Sequence, residues 1–313
     1  MTLYHSLLGS PFFQRIGLFK CSILLIISCL LWVTPVFADD EEDSGVEKQQ
    51  IYHIYNDVDL IPTTQLRYSK PKIVIKSIFP VLTSEEQSEN VEKFNQLVQS
   101  IIQEEIADYK KRSADLLPSR NNLPKSVSAN ESTLDIDFDS SIVNTNGNPI
   151  ISIRFSVEGY IAGMAHPYHH HRVLNFDLEN GQPLELNDIF KSDSAYLNVL
   201  AHFSNTALSK RFKELGDAVA KGTAPVLQNY KNWNVNPSGL LITFDEYQVA
   251  PYYYGTQTVL IPYSQLNDLV APYSPLGTCL KHKNQCLRSN LLTGGFMEEA
   301  SNAARGASDP ALS

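Results

Sequence analysis

Residues 161–188 read IAGMAHPYHHHRVLNFDLENGQPLELND, and this stretch decides how we interpret the rest of the chain. A histidine-rich turn leads into an apolar segment at 173–178, which an Asn-Gly pair separates from a second short segment at 184–186. An Asn-Gly pair between such segments is a strong short-range sign of a β-hairpin. We therefore expect antiparallel strands here, with half of a domain before them and half after them.

Segments on both sides of this stretch show the same two-residue alternation. Apolar and polar residues alternate at 134–138 and at 151–158, across an Asn-Gly-Asn-Pro turn, which predicts an antiparallel hairpin with one wet face. Short strands are predicted within 51–82, where prolines confine them to edges or ends, and again at 240–244 and 258–261.

Two long segments have helical spacing instead. The first begins at a capping box formed by Ser84 and Gln87 and ends at the basic residues 110–112, with apolar residues recurring every three or four positions. The second covers 192–215. Strands and helices do not alternate regularly, so the sequence predicts an α+β fold with antiparallel sheets packed by two main helices, at about 84–112 and 192–215.

The N-terminus has the composition of a signal peptide. Residues 1–38 contain Arg15, Lys20 and no acid, followed by an apolar run that ends in Val-Phe-Ala. A retained membrane anchor is the alternative, and lipidation at Cys29 is a third. Residues 39–50 are acidic and polar, and we interpret them as a disordered leader.

The charge of the chain narrows the class of partner. It holds 25 Lys and Arg against 34 Asp and Glu, and loss of residues 1–38 would leave 23 against 34, a formal charge of −11. An acidic exported protein is a poor candidate for binding nucleic acid or anionic membrane and a better one for cationic partners. The competing interpretation is that the net negative charge only keeps the protein soluble.

Two cysteines remain beyond the signal peptide. Cys279 and Cys286 lie in the tail at 274–313, and in an oxidising compartment their simplest state is a disulfide that closes a small loop. A zinc site would need a second pair of ligands.

The histidine cluster is a candidate metal site. In a strand, His169 and His171 would share a face, and His166 could reach them around the Pro167 turn, which gives three nitrogen ligands for zinc or copper. The ordinary alternative is a polar loop whose histidines contact backbone groups or water.

Aromatic residues provide a second candidate site, for binding. They are Tyr247, Tyr252, Tyr253, Tyr254 and Trp233. Such residues could stack on sugars or anchor a protein partner, and the alternative is that half of them face the core, as alternate residues of a strand do.

Three stretches together resemble the extracellular region of the RsiV-like anti-sigma factors: SEEQSENVEKFNQLVQSIIQEEI, GMAHPYHHHRVLNFDLENGQPLELNDIF and NVNPSGLLITFDEYQVAPYYYGTQTVLIPYSQL. The resemblance covers roughly residues 65–272. It implies a PdaC-like N-terminal subdomain at 51–180 and an RsiV-like C-terminal subdomain at 181–273. The corresponding turn in that family usually has one histidine, so the other three are a departure.

The resemblance also implies a function. RsiV-like proteins are membrane-spanning receptors that bind lysozyme outside the cell and hold a sigma factor inside. Twenty residues precede the apolar run here, so no sigma factor is expected. The sequence therefore predicts an exported, non-enzymatic protein of the bacterial cell envelope, periplasmic or secreted, that recognises a lysozyme-like protein or a cell-wall glycan. The alternative is a metal-dependent hydrolase of envelope polymers that uses the histidines, with zinc as its cofactor.

Overall fold

The computed structural model describes residues 41–43, 51–69, 72–120, 124, 130–145, 148–281 and 286–292, and it confirms the α+β fold. The strands in this part of the chain are β1 (Glu41–Asp43), β2 (Tyr52–Tyr55), β3 (Val58–Ser69), β4 (Ile73–Ser84), β5 (Ser132–Thr145), β6 (Asn148–Tyr160), β7 (Tyr168–Asp177), β8 (Gln182–Pro183), β9 (Trp233–Asn236), β10 (Gly239–Phe244), β11 (Gln257–Pro262) and β12 (Cys286–Leu292). The α-helices are α1 (Glu89–Arg120), α2 (Leu186–Ile189), α3 (Tyr196–Arg211), α4 (Gly216–Gly222) and α5 (Pro275–Lys281).

The strands form a large sheet and a small one. The large sheet has the order β1-β3-β4-β5-β6-β7-β8, with β2 beside β3 and β12 beside β5, and the small one has the order β11-β10-β9. Neighbouring strands are antiparallel except β4 and β5, which run parallel. The exception has a simple cause, because α1 connects these two strands and parallel neighbours need such a crossover.

The two predicted main helices are present with shifted ends. Ser84 is still part of β4, where it pairs with Val58, so α1 begins later, at Glu89. The Oγ of Ser88 accepts a hydrogen bond from the N–H of Val91 and caps the helix in place of Ser84. The helix also continues past the basic residues at 110–112, because no helix-breaking residue follows them directly. The second predicted helix is divided into α3 and α4.

Helix α1 covers one face of the large sheet and forms the first core with it. Its buried apolar residues recur at helical spacing and are Val91, Phe94, Val98, Ile102, Ile106 and Tyr109. They pack on alternate residues of the central strands, among them Leu134, Ile136, Phe155 and Val157. Burial of this wide apolar stripe is what holds a helix of 32 residues on the sheet.

The small sheet, with α3 and α4, encloses a second core. Strands β9 and β10 are buried along their whole length, so neither shows the alternation of a half-exposed strand. Val143 and Ile150 of the large sheet also belong to this core. The small sheet is therefore covered on both faces.

A buried polar network joins β9 to the large sheet. The amide of Asn175 donates to the carbonyl of Trp233 at 2.9 Å, and the amide of Asn234 donates to the Oγ of Ser152 at 2.9 Å. Ser152 in turn donates to Oδ1 of Asn175 at 2.5 Å. Because buried polar groups are costly unless they are paired, this network fixes one register between the two sheets.

Several predictions concern residues outside the part of the chain that the structure describes. The predicted signal peptide, 1–38, lies outside it. The side chains of Cys279 and Cys286 also lie outside it, so the disulfide stays a prediction. In the predicted leader, Glu41–Asp43 form β1, and the predicted tail contains α5 and β12. The subdomain boundary at 180 also stays a prediction.

Among the helices that the structure describes, we find none with both the length and the apolar character needed to cross a membrane.

Candidate functional site

The histidines of β7 point to opposite faces of the large sheet. In the register with β6, His169 lies opposite Glu158, His170 opposite Val157 and His171 opposite Ser156. Successive side chains of a strand alternate between faces, so His169 and His171 face the small sheet whereas His170 faces α1. The cluster that is compact in sequence is thus divided in space.

On the α1 side, His170 and Arg172 both contact a buried acid. Nε2 of His170 lies 2.9 Å from Oε2 of Glu105, and Nη1 of Arg172 donates to Oε1 of the same carboxylate at 2.8 Å. The side chain of Glu105 is 8 % exposed. Burial raises the pKa of this carboxyl, but the hydrogen bonds and charges of His170 and Arg172 outweigh it, so the pKa of Glu105 is lowered.

This lowered pKa predicts a pH-dependent contribution of Glu105 to stability. A carboxyl with a lowered pKa in the folded state stabilises the protein above its ordinary pKa, and the contribution is lost as the pH falls through the folded-state value. We expect Glu105→Gln to lower the free energy of unfolding at pH 7 by about 1–3 kcal/mol. The difference from the wild type should shrink below about pH 4. Urea unfolding at pH 7 and pH 3.5 measures both, and a difference independent of pH would contradict the argument.

On the opposite face, His169 lies between two carboxylates. Its Nδ1 is 3.0 Å from Oε1 of Glu246 and its Nε2 is 3.1 Å from Oε2 of Glu158. The side chain of Glu246 is 9 % exposed and that of Glu158 is 54 % exposed. One histidine thus connects β6 with the segment that follows β10.

His171 makes a parallel connection to the neighbouring acid, Asp245. Oδ1 of Asp245 lies 2.8 Å from Nδ1 of His171 and accepts its backbone N–H at 3.0 Å. Oδ2 accepts from the amide of Asn232 at 2.9 Å, with Nζ of Lys231 at 4.0 Å. Two consecutive acids are therefore held by two alternate histidines of β7.

The histidines do not converge on one point. His166 lies outside the strand, with its Nδ1 2.7 Å from the carbonyl oxygen of Pro167. Within the residues that the structure describes, no three or more His, Cys, Asp or Glu side chains are grouped so that they could hold a metal ion. The zinc site at His166, His169 and His171 stays a prediction, which metal analysis of protein purified without a histidine tag would decide.

Residues 245–256, between β10 and β11, carry the predicted aromatic site, and we call them the tyrosine loop. The loop begins with a turn in which the N–H of Gln248 donates to the carbonyl of Asp245 at 3.1 Å. Tyr247 lies in this turn with φ 64° and is 65 % exposed. A non-glycine residue in the left-handed region costs about 1–3 kcal/mol, so the loop holds this ring outward against local strain.

A 3-10 helix, Tyr252–Tyr254, forms the second half of the loop. The ring of Tyr252 packs on that of His166, with 4.1 Å between centroids, and lies 6.0 Å from Tyr247 and 6.1 Å from His169. Tyr253 is 74 % exposed. Tyr254 turns back toward the protein, where its hydroxyl contacts Glu214 at 3.0 Å.

The phenol of Tyr252 has acidic neighbours. Partial burial raises the pKa of the Tyr252 phenol, and the carboxylates of Glu246 and Glu158 raise it further. Beneath the loop lies a cleft of about 310 Å³, lined by Ser156, Val157, Glu158, His169, His170, His171, Glu246 and Thr256.

The structure brings together two stretches that the sequence offered as separate candidates. Tyr247 and Tyr252 lie on one surface with His166 and His169. The ring of Tyr253 instead packs on that of Tyr254, with 4.3 Å between centroids. Trp233 does not reach this surface, because it begins β9 and is 3 % exposed in the second core.

Sequence reasoning missed the acids Glu105, Glu158, Asp245 and Glu246. Asp245 and Glu246 directly follow the apolar strand 240–244, and Glu105 interrupts an apolar helix stripe. An acid within or directly after an apolar segment is expected to be partly buried and therefore paired, so these positions could have been recognised in the sequence.

Comparison with known proteins finds one matching family model and two similar proteins of known name. The family model described as "Protein of unknown function (DUF3298)" matches residues 187–264. The chain is 29 % identical over 182 residues to the peptidoglycan-N-acetylmuramic acid deacetylase PdaC of Bacillus subtilis, a match that covers 57 % of this chain and 36 % of PdaC. It is 28 % identical over 133 residues to the anti-sigma-V factor RsiV of the same species, covering 40 % of this chain and 45 % of RsiV.

A solved structure supports the fold. A crystal structure of a DUF3298 family member from Bacteroides fragilis superposes with a TM-score of 0.50 at 18 % identity, covering 78 % of this chain and 97 % of that one. The matched region spans less than half the length of either curated relative. The resemblance inferred from the sequence is confirmed: residues 187–264 match the DUF3298 model, and the chain is similar to both PdaC and RsiV.

Proposed function

We propose that this chain is an exported protein of the bacterial cell envelope that binds a lysozyme-like protein and performs no chemistry on it. The observation that carries the proposal is the tyrosine loop, in which Tyr247 is 65 % exposed and Tyr253 is 74 % exposed. Large aromatic side chains at the surface are the residues that most often anchor protein interfaces.

The loop has the rigidity that binding favours. Glu246 and Asp245 are tied to β7 by His169 and His171, and the amide of Gln248 donates to the carbonyls of Gly222 and Asn229 at 3.1 and 2.9 Å. A loop that is ordered before it meets its partner loses less conformational entropy on binding. The tyrosines are therefore presented by a prepared surface.

The charge of the surface supports a cationic protein over a glycan. Glu158 and Glu246 border the cleft, and without residues 1–38 the chain has a formal charge of −11. An acidic surface attracts a basic partner and repels the anionic groups of a cell wall. The similarity to RsiV and to a peptidoglycan deacetylase supports a place in the envelope.

The test is binding of the purified chain to lysozyme and, separately, to insoluble peptidoglycan. We expect Tyr253→Ala to weaken lysozyme binding by at least about tenfold, since it removes an exposed anchor. Tyr68→Ala is the matched control, because Tyr68 is an exposed tyrosine (44 %) on a distant strand, β3. Three strands lie between β3 and β7, so the two strands are about 19 Å apart at about 4.8 Å per spacing. Calorimetry measures the affinity for lysozyme, and co-sedimentation measures binding to peptidoglycan.

A variant at Tyr247 tests binding and stability separately. Tyr247→Gly removes the ring and also relieves the left-handed strain, so we expect weaker binding with no loss in the free energy of unfolding. Binding to peptidoglycan but not to lysozyme would make a cell-wall glycan the proposed partner in place of a lysozyme-like protein. Binding to neither would exclude this partner class, and equal loss in Tyr68→Ala would exclude the loop as the site.

A further inference from the structure

We infer that His169 is the residue that positions the tyrosine loop, by bridging Glu158 and Glu246. Its effect on binding rests on the proposed function, whereas its effect on the loop can be measured on the free protein. The inference stands on where the two ring nitrogens lie, since each is within 3.1 Å of a carboxylate oxygen from a different element.

The two contacts use both nitrogens of one ring. Because the ring is rigid and planar, it links Glu158 and Glu246 at a fixed distance. Hydrogen bonds with an ionised partner are roughly twice as strong as neutral ones.

Burial gives this bridge its strength. Glu246 is 9 % exposed, so its carboxylate is poorly screened by water and would be costly without a partner. The other end of the bridge, Glu158, is 54 % exposed on β6, which belongs to the rigid centre of the large sheet. The loop is thereby fixed to the sheet through one side chain.

The bridge reaches the tyrosines directly. Tyr252 stacks near the His169 ring, at 6.1 Å between centroids, and packs against both His166 and Tyr247. Glu246 is the residue before Tyr247, so the acid held by His169 also sets the position of the turn that carries that ring. Loss of the bridge would release both rings together.

The neighbouring histidine, His170, provides a control within the same strand. His170 has the same residue type and also contacts a buried carboxylate, but on the opposite face of β7, where its partner is Glu105 of α1. His170→Gln therefore removes a histidine–carboxylate contact on the α1 side of the sheet. His169→Arg keeps a planar group with donors in several directions.

Hydrogen exchange measured by mass spectrometry at pH 6 tests the inference on the free, full chain. We expect His169→Gln to reduce the protection of the peptide covering 245–256 by about tenfold or more. Protection of β5 and β6 should stay unchanged. His170→Gln should leave the loop at the wild-type level, and His169→Arg should restore part of the lost protection. Glu158→Gln, at an exposed position, gives a second reading if His169→Gln fails to fold.

Binding to lysozyme is then measured with the same variants. We expect His169→Gln to weaken it by about tenfold, through loss of the preformed loop. Wild-type protection of 245–256 in both His169→Gln and Glu158→Gln would overturn the inference, and so would an equal loss in His170→Gln. If the wild type does not bind lysozyme, the proposed function fails while the exchange data still decide the role of His169.

Discussion

Arg154→Met is expected to lower the free energy of unfolding by about 3–5 kcal/mol, because it removes the charged side chain that holds a poorly exposed carboxylate between the two sheets. Nη2 and Nε of Arg154 donate to Oδ2 of Asp139 at 2.6 and 3.2 Å, and Nη1 donates to Oγ1 of Thr243 at 3.2 Å. The two charged side chains are 7 % and 13 % exposed. Methionine preserves much of the volume, so the loss should come from charge and hydrogen bonding. Urea unfolding at pH 7 measures it.

The chain contains a matched control for this experiment. Arg112 and Asp108 form an ion pair at 3.0 Å on the surface of α1, with side chains 52 % and 54 % exposed. Exposed pairs contribute about 0–1 kcal/mol, so Arg112→Met should have a small effect. The double variant Arg154→Met/Asp139→Leu should recover much of the loss, since both members of the ion pair are then removed together. Equal effects of Arg154→Met and Arg112→Met would contradict our view of the interface.

The sequence predicted the elements whose causes are local. Alternation at 151–158 and an Asn-Gly-Asn-Pro turn are enough to specify β5 and β6 as a hairpin, and the apolar stripe of α1 is enough to specify a helix on a sheet. The parallel pairing of β4 with β5 could not be read in the same way. It depends on where a helix of 32 residues returns the chain, which is a property of the whole topology.

The same limit explains what was missed at the site. Alternation correctly places His169 and His171 on one face, but their carboxylate partners, Glu246 and Asp245, lie 77 and 74 residues further along the chain. No spacing rule connects residues so far apart. The proximity of the histidines is therefore visible in the sequence, whereas their carboxylate contacts are not.

Trp233 shows a different failure of local reasoning. An aromatic residue near other aromatics in sequence was a reasonable candidate for a binding surface. Strand β9, however, lies between the second core and the polar face of the large sheet, and all four of its residues are buried. A strand covered on both faces has no wet side, so alternation carries no information about which side chain is exposed.

Gly222→Ala is expected to destabilise the protein by about 3 kcal/mol and to disturb the tyrosine loop as well. A Cβ at Gly222, the last residue of α4, would lie 2.1 Å from the backbone oxygen of Gln248 and 2.7 Å from Cγ1 of Val249. A backbone carbonyl cannot turn aside like a flexible side chain, so the turn that carries Tyr247 would have to move. Urea unfolding measures the first effect, and exchange of the peptide 245–256 measures the second.

Gly216→Ala, in the same helix, is the control for this substitution. A Cβ at Gly216 would meet no atom within 4 Å, so we expect no loss, and a gain of up to about 1 kcal/mol from the better helix former. If Gly222→Ala is as stable as Gly216→Ala, α4 and the tyrosine loop are not in the close contact described above. If Gly222→Ala is destabilised and binds lysozyme more weakly, the packing of α4 helps to set the position of Tyr247. The preformed loop would then depend on two independent supports, the histidines of β7 on one side and the end of α4 on the other.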